Sequence, residues 1–568
     1  MAINRRNFVK VSSAAAVAAP MISTSLQAAT LLKKEPEENL VVQNIAPEYH
    51  ILNKIAYGPK EEDVALLKKK GLEKYLKEQL NPKEEEENPI IAKKLSEYTY
   101  EEKFKAEDGG KEEKVTTKIQ YLDKTASELW EKKQSLKGKN FNLITNATRE
   151  VALATFLKAA YSKWQLREVM VEFWHNHFNI DAFSDRRIPV FFVQFDRDVI
   201  RKHCFGNFRE LLEATAKSPA MLYYLNNNAS KASPANENYA RELFELHTLG
   251  EDNYFNELYD KWKEVPGAAQ GKAIGYIDED VYETARAFTG WTVGDNSNTG
   301  RKNERVPSSG EFYFQDSWHD HYQKRVLGVE IPSNQGPMED AKKVLDILAY
   351  HKGTATFLCT KICTRLVSDT PPKSLISKAV ATWMKHHHSK DQIAQVLKTI
   401  VLSDEFQKAK GAKVKRPFEL ILSFIRASDM DFNPNQKLYS LLNEMGYQLF
   451  QWPAPTGHPD EPSYWTGAGM MLKRWKAVDL ITNKYYPKAT TFDTLDKSIE
   501  QYGSTATSFV SYWYKKLIGA QPSEKIKNDL VAVLGKEGKE SEAITIKEKE
   551  RARKTVASIA MLAEFQVR

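Results

Sequence analysis

Histidines and acidic residues cluster in three short segments of this sequence, and these residue types bind metals and transfer protons. The first segment contains His175 and His177. On a continuous helix, residues two positions apart point about 200° away from each other. The two histidines therefore converge on one ion only if the helix ends near Trp174, because alternate residues of an extended chain share a face. Each also has a structural interpretation, His177 in the core and His175 at a surface or helix cap.

The second segment, residues 236–250, predicts one helix with a strongly polar face. Asn236 suits the N-cap and Gly250 the C-terminal end. At about 100° per residue, the polar side chains fall within an arc of about 140°, whereas His247 falls in the opposite, apolar arc. The polar residues are Glu237, Asn238, Arg241, Glu242 and Glu245. An ideal helix therefore does not place His247 beside the acidic residues.

Two interpretations of this polar face stay open. Arg241 is four residues from both Glu237 and Glu245, so the face is consistent with a salt-bridge ladder within the helix. Polar loops at residues 226–228 and 233–234 flank the face, and this favours a polar site that is buried or lines a cleft. In such a site Glu237 is a candidate base, and Arg241 would orient a carboxylate or bind an anionic substrate.

The third segment is a loop that contains His319, Asp320 and His321. A histidine and a carboxylate in a loop can bind a metal or act in acid–base catalysis. The metal ligands predicted from the three segments are His175, His177, Glu242, Glu245, His247 and His319, and the catalytic candidates are Glu237, Arg241 and Asp320. The predicted cofactor is a divalent transition metal, since such ligands suit Zn, Fe, Mn and Cu.

Helices must position these segments, because helical patterns dominate the chain. Residues 47–80 predict two short helices with a break at 56–59, and the charged stretch 83–140 predicts solvated helix in a surface excursion. The fold class is mainly α: one large multi-helix domain with long loops and a small irregular or β insertion around residues 305–330. The predicted divisions are a signal peptide at 1–29, an exposed segment at 30–46, the helical domain at 47–485 and a C-terminal helical region at 486–568.

Composition excludes several classes of protein. Hydrophobic residues make up 42% and charged residues 28% of 568 residues, which is ordinary for a globular chain and unlike a disordered one. No apolar run is long enough for a membrane-spanning helix beyond the signal. The net charge of +7 is too small to imply nucleic-acid binding. Motifs of serine hydrolases, nucleotide-binding loops and c-type haem are absent. The cysteines Cys204, Cys359 and Cys363 predict buried thiols.

The N-terminal segment predicts export. Arg5 and Arg6, followed by Phe8 and Lys10, precede an Ala-rich stretch at residues 11–29. This order is typical of a secretory signal, and the paired arginines resemble a twin-arginine signal. The predicted location is periplasmic or otherwise extracytoplasmic. Retention of the segment as a membrane anchor is an alternative.

Several segments together resemble the bacterial family known as domain of unknown function 1800, over about residues 48–485. The segments that carry the resemblance are residues 52–58, 173–178, 236–250, 285–291, 319–328 and 416–419. The loop at 452–459 departs from the family pattern, because it has Gly457-His458 where the family often has Gly-Trp. The resemblance implies an exported protein, often encoded beside phosphatase-like or sulfatase-like exported proteins. It implies no reaction.

Two functional hypotheses follow. The first is a metal-dependent exported enzyme, either a hydrolase or an oxidoreductase, that uses the His, Glu and Asp residues named above. The alternative is a non-catalytic envelope protein that binds or assembles another exported protein, with a co-exported phosphatase-like or sulfatase-like protein as the partner that the resemblance implies. In that case the same residues form a structural polar core.

Overall fold

The computed structural model describes residues 44–104, 113–136, 142–482 and 490–568. Within these ranges the chain is mainly α, with 26 α-helices and only small two-stranded sheets, as the sequence predicts. The predicted signal peptide and nearly all of the segment 30–46 lie outside the described residues. None of the described helices is long and apolar enough to cross a membrane.

The helices are numbered α1 to α26 in chain order. They are Pro47–Ile55, Glu61–Lys70, Leu72–Gln79, Pro89–Glu97, Ala126–Ser135, Asn142–Tyr161, Gln165–His177, Ile188–Gln194, Phe208–Lys217, Pro219–Tyr224, Asn238–Glu242, Asp278–Ala287, Glu339–Ala349, Lys352–Leu366, Lys373–Lys385, Gln392–Val401, Asp404–Lys408, Pro417–Ala427, Gln436–Glu444, Pro462–Thr466, Ala468–Thr482, Asp493–Tyr502, Ala506–Ile518, Glu524–Val533, Lys549–Met561 and Ala563–Gln566. Two π-helices interrupt this series, π1 at Phe195–Arg201 and π2 at Leu243–Thr248.

The eight described strands form four antiparallel pairs. They are β1 Thr99–Phe104 with β2 Glu113–Lys118, β3 Trp291–Val293 with β4 Phe312–Phe314, β5 Lys324–Val326 with β6 Val329–Ile331, and β7 Asp431–Phe432 with β8 Thr490–Thr491. Strands β4 to β6 overlap the β insertion predicted around residues 305–330. The β1–β2 pair corrects the helical interpretation of residues 83–140, because Thr, Val and aromatic residues favour a strand over the helix that the charges suggested.

Helix α7 lies in the centre of the core. Every residue of Gln165–His177 except Asn176 is buried. Its apolar side chains, spaced three or four residues apart, pack against α1, α3, α6 and π1. The described helices beyond residue 490 bury Trp513 and Phe565 in the same core. The motif residues at the end of α7, apart from Asn176, are therefore buried within the protein.

The break predicted at residues 56–59 is present, and three helices rather than two fill residues 47–80. Gly71 divides the second predicted helix, with φ +74°. A residue other than Gly adopts this left-handed backbone conformation only with strain, so the helix ends there. The three cysteines are buried free thiols, as predicted.

Candidate functional site

The two histidines of α7 point in different directions. Because the helix continues through His177, the condition for a shared ion, a helix end near Trp174, is not met. The Nε2 atom of His175 lies 2.9 Å from Oδ1 of Asp196 in π1. Asp196 also accepts a hydrogen bond of 2.8 Å from Nε of Arg201. His175 is thus held in a buried ion-pair network on the π1 side of α7.

His177 uses both ring nitrogens on the π2 side. Its Nε2 lies 3.2 Å from the carbonyl oxygen of His247, and its Nδ1 lies 3.1 Å from Nζ of Lys361 in α14. A carbonyl only accepts, so Nε2 carries the ring proton and Nδ1 has a free lone pair that accepts from Lys361. Burial, and then the positive charge of Lys361, hold the pKa of His177 well below its usual value. His177 is therefore a neutral imidazole.

The segment 236–250 is not the single α-helix that the pattern predicts. The α-helix α11 ends at Glu242, and the wider turns of π2 run from Leu243 to Thr248. The rotation of about 100° per residue, which placed His247 in the apolar arc, therefore does not apply to this residue. π-helical turns are rare and are frequent at functional sites. The predicted end at Gly250 is present, because its φ of +84° terminates the helical turns.

His247 is buried, with only 1% of its surface exposed. Neither of its ring nitrogens has a hydrogen-bond partner among the described residues. Its ring centre lies 6.2 Å from that of His177 and 5.0 Å from that of Phe178. Burial, reinforced by Lys361, lowers the pKa of His247 to about 3. Burial likewise lowers the pKa of Lys361 to about 8. These residues form a basic group, defined here as His177, His247 and Lys361.

Glu242 and Glu245 are half-buried at the junction of α11 and π2. Neither carboxylate has an ion-pair or hydrogen-bond partner in the part of the chain that the structure describes. Burial, and then the negative charge of Glu245, raise the pKa of Glu242 to about 7, against the opposing effect of Arg241. Glu242 is therefore a carboxyl group that changes protonation near neutral pH.

Glu237 and Arg241 lie in a surface network. Nη2 of Arg241 lies 3.1 Å from Oδ1 of Asp278 and 3.5 Å from Oε2 of Glu237. Asp278 also accepts a 2.6 Å hydrogen bond from the hydroxyl group of Tyr254. The salt-bridge interpretation thus holds between Arg241 and Glu237, whereas Glu245 is not part of the ladder.

His319 and Asp320 stabilise the β insertion. His319 Nε2 lies 3.0 Å from Oδ2 of Asp340, and its Nδ1 lies 2.8 Å from the carbonyl oxygen of Thr289. Asp320 accepts two hydrogen bonds from Arg286, of 2.8 and 3.1 Å. Burial alone would raise the pKa of Asp320, but its bonds to Arg286 lower it. Both predicted site residues are thus fully engaged in structural contacts.

The predicted metal ligands therefore do not assemble as a set. Of these residues, the structure brings His177 and His247 together, whereas His175 contacts Asp196 and His319 contacts Asp340 in separate places. Within the described ranges, no three side chains of His, Cys, Asp or Glu form a group that could hold a metal. To become a ligand through Nδ1, His177 would have to give up its hydrogen bond from Lys361.

A loop of residues 452–460 covers the end of α7. The Asn176 side chain accepts from the backbone N–H of His458 at 2.7 Å, and the Asn179 side chain donates to the carbonyl oxygens of Trp452 and Ala454. Beneath this loop is a cavity of about 30 Å³, whose polar lining includes Glu172, His175, Asn176, Asn179, Tyr447 and His458. The departure from the family pattern, Gly457-His458, thus contacts the motif at the end of α7.

Replacing Gly457 by Ala is expected to destabilise the protein by about 1–3 kcal/mol. Gly457 has φ +74°, and a Cβ atom there would lie 2.2 Å from the carbonyl oxygen of Asn176. The matched control is Gly467→Ala, where a Cβ atom would meet nothing within 4 Å. Midpoints of urea unfolding for the two variants compare the effects. Equal midpoints would show that the loop does not depend on this close approach.

Lys361 and Asp196 were not predicted from the sequence as site residues. Lys361 is the lysine of an otherwise mainly apolar stretch of α14, next to Ile362 and Cys363. A lone lysine on a buried helix face is a signal that sequence inspection could have used. Asp196 follows the largely apolar stretch 188–195, but nothing in the sequence pairs it with His175.

Comparison with known proteins gives one match. The family model described as protein of unknown function, DUF1800, matches residues 50–567. The match continues beyond residue 485, where the motif resemblance stops. No curated protein and no solved structure matches the chain. Since the model covers nearly the whole chain, this protein belongs to the DUF1800 family, whose function is unknown.

Proposed function

We propose that this chain is an exported hydrolase in which Glu242 acts as a general acid–base at the junction of α11 and π2. The observation that carries the proposal is that some of the candidate residues have charged partners and others have none. His175, Arg241, His319 and Asp320 all have charged partners, whereas the acidic and basic groups of residues 242–247 have none among the described residues.

The unpaired ring nitrogens of His247 need an explanation, because most buried polar groups in proteins are hydrogen-bonded. Leaving a buried donor or acceptor unsatisfied costs about 1–3 kcal/mol. A carboxyl group that titrates near pH 7 is suited to general acid–base catalysis at neutral pH. Beside Glu242, Glu245 supplies a second carboxylate at the same junction. A pair of neighbouring carboxyl groups is the arrangement used for acid-assisted hydrolysis, including that of glycosides.

A metal-dependent form of the enzyme has less geometric support. His247 has free ring nitrogens, but His177 uses both of its own, and the other predicted histidine ligands are held in ion pairs elsewhere. We therefore propose hydrolysis in which Glu242 acts as a general acid–base rather than as a metal ligand. Elemental analysis of the purified protein beside His247→Ala tests the metal-dependent form, which requires a stoichiometric metal that the variant loses.

The proposal is tested by a screen of the purified protein with chromogenic glycosides, carboxylic esters, phosphate esters and sulfate esters. If Glu242 is the general acid, the pH–rate profile has an alkaline limb. In this limb the rate falls about tenfold per pH unit above about pH 7, because the carboxyl group loses its proton there. Glu245→Gln is expected to move this limb to lower pH, since removing a neighbouring negative charge lowers the pKa of Glu242. Glu257→Gln, at an exposed position, should leave the limb unchanged. A limb that stays in place in Glu245→Gln would contradict the assignment.

A second proposal is a non-catalytic envelope protein that binds another exported protein. The ion pairs of His175, His319 and Asp320 support it, since they serve packing rather than chemistry. Under this proposal the screen detects no activity, and a co-exported phosphatase-like or sulfatase-like protein co-purifies with the chain. Activity that depends on Glu242 would contradict it.

Export by the twin-arginine route is part of both proposals. Replacing Arg5 and Arg6 by Lys is expected to leave the folded protein in the cytoplasmic fraction, because twin-arginine signals depend on the arginine pair. Fractionation of cells that produce the wild type and the double variant measures this. Equal extracytoplasmic yields would exclude the route.

A further inference from the structure

We propose that the surface where α2 meets α3 docks this protein on membranes that contain anionic phospholipids. This basic surface is defined by the residues Leu66, Lys68, Lys69, Lys70, Leu72, Lys74 and Lys77. The proposal goes beyond the acid–base role of Glu242 and does not rest on it. It is carried by a concentration of unpaired lysines, by their unfavourable positions within α3 and by the exposed leucine beside them.

Lysines outnumber acidic residues on this surface, and most of them are unpaired. Four exposed lysine side chains have no ion pair or hydrogen bond among the described residues, namely Lys68, Lys69, Lys74 and Lys77. The two acidic residues of α3 are engaged by other lysines. Glu78 is paired with Lys70, and Glu73 lies 3.7 Å from Lys398 of α16. The protein therefore leaves the positive charges of these four lysines for a partner to neutralise.

The turn between α2 and α3 forms an open hollow. Its volume is about 530 Å³, and it is lined by Lys70, Gly71, Leu72, Glu73, Lys74 and Lys77. A Cβ atom on Gly71 would meet nothing within 4 Å, so the protein does not fill this space. The phosphate groups of a lipid surface can therefore approach Lys70, Lys74 and Lys77 together.

Helix stability does not explain all of these positions. Lys68, Lys69 and Lys70 end α2, where cations stabilise the helix dipole. Lys74, however, lies in the first turn of α3, where the dipole disfavours a cation. Lys77 follows it by three residues, and like charges that neighbour each other on a helix repel. These two charges lower the stability of α3, so a role in binding accounts for them better than folding does.

The apolar residues of the basic surface favour a lipid membrane over a soluble polyanion. Leu66 is 37% exposed one turn before Lys69, and Leu72 is half-buried at the hollow. At a membrane, an exposed leucine enters the boundary between headgroups and acyl chains, while lysines keep their ammonium groups at the phosphates. Nucleic acids offer phosphates but no apolar layer that would cover Leu66. Clusters of about four to eight lysines are typical of proteins that bind anionic lipids.

The basic surface also lies close to the point where the chain enters the described structure. The backbone N–H of Ala46 donates to the carbonyl oxygen of Gly519 at 2.9 Å, at the end of α23. Lys516 in the last turn of α23 lies 3.0 Å from Glu61, which begins α2. Helix α2 then spans about 15 Å to Lys70. If the predicted N-terminal segment is retained as a membrane anchor, the basic surface therefore lies near the same membrane.

The test is co-sedimentation of the purified full-length protein with lipid vesicles. One set contains phosphatidylcholine alone, and the other also contains about 30% phosphatidylglycerol, which is anionic. We expect the affinity for the anionic vesicles to be at least about tenfold higher at about 0.1 M NaCl. This preference should disappear at about 1 M NaCl, because the Debye length falls from about 10 Å to about 3 Å. Equal affinity for the two kinds of vesicle would overturn the proposal.

Two variants with the same net charge locate the binding surface. The first replaces the four unpaired lysines of the basic surface (K68Q, K69Q, K74Q and K77Q), and the second replaces exposed lysines elsewhere (K261Q, K272Q, K343Q and K385Q). Each lysine at the membrane strengthens binding about fivefold, so the first variant should bind anionic vesicles at least about tenfold more weakly than wild type. The second should bind them almost as tightly as wild type. Urea unfolding of both variants verifies that they are folded, and the first should be no less stable than wild type.

Equal losses of vesicle binding in the two variants would overturn the proposal, since total charge would then explain the attraction. Leu66→Ser tests the choice of a lipid partner. It is expected to weaken binding to anionic vesicles about threefold or more, because less apolar surface is buried. No loss in this variant would contradict the contact of Leu66 with the membrane. A DNA duplex that binds as tightly as the anionic vesicles in the same buffer would assign the surface to soluble polyanions and overturn the proposal.

Discussion

Replacing Glu242 by Gln is expected to reduce the hydrolytic turnover by about 10²–10⁴-fold, the range typical of losing a general acid–base. Gln has nearly the same shape as Glu but neither gives nor takes a proton at neutral pH. Glu242 is half-buried and has no ion-pair or hydrogen-bond partner among the described residues, so the substitution breaks no such contact there. It also removes the repulsion between Glu242 and Glu245. Folding stability should therefore be unchanged or slightly higher.

The measurement is kcat for the substrate class found in the screen, with thermal unfolding recorded on the same samples. Glu257→Gln is the matched control, since it makes the same chemical change at an exposed position. If the variant keeps full turnover, Glu242 does not take part in the reaction. A variant that unfolds at a lower temperature would point to a structural role for the carboxylate instead.

Replacing Arg365 by Met is expected to lower the free energy of unfolding by about 3–5 kcal/mol. The Arg365 side chain is 1% exposed. Its Nη1 lies 2.6 Å from Oε1 of Glu419, and its Nη2 lies 3.1 Å from Oε2 of Glu172. Met has a similar length but no charge, so both carboxylates lose a partner in the core. Removing one member of a buried ion-pair network is strongly destabilising, because the remaining charges are then less well compensated.

The effect is read as a shift of the urea midpoint relative to wild type. Arg301→Met is the matched control, because the Arg301 side chain is 68% exposed and lies 3.7 Å from Glu304. Exposed pairs of this kind contribute about 0–1 kcal/mol. Similar midpoints for the two variants would show that Arg416 and Arg568, which also pair with these carboxylates, compensate for the loss.

The main features of the fold could be predicted from local sequence. Apolar residues three or four apart predict helices whatever their neighbours are, and the break at residues 56–59 and the end at Gly250 follow from residues that disfavour helix. The strands β1 and β2 are harder to predict from local sequence than the helices are. Charged residues hide the strand preference of the Thr, Val and aromatic residues beside them, and pairing between two strands decides the outcome.

The sequence by itself determined the helical class, the buried thiols and the positions of the histidines and acids. It also determined the family, because that depends on residue order alone. Only the tertiary structure decided which side chains meet. Asp196 reaches His175, and Lys361 reaches His177, across chain separations that no local pattern encodes. The π-helical turns at residues 243–248 likewise depend on packing, since their local sequence equally suits an α-helix. A site made of such contacts exists only once the core has formed, because burial both removes water and leaves His247 unpaired.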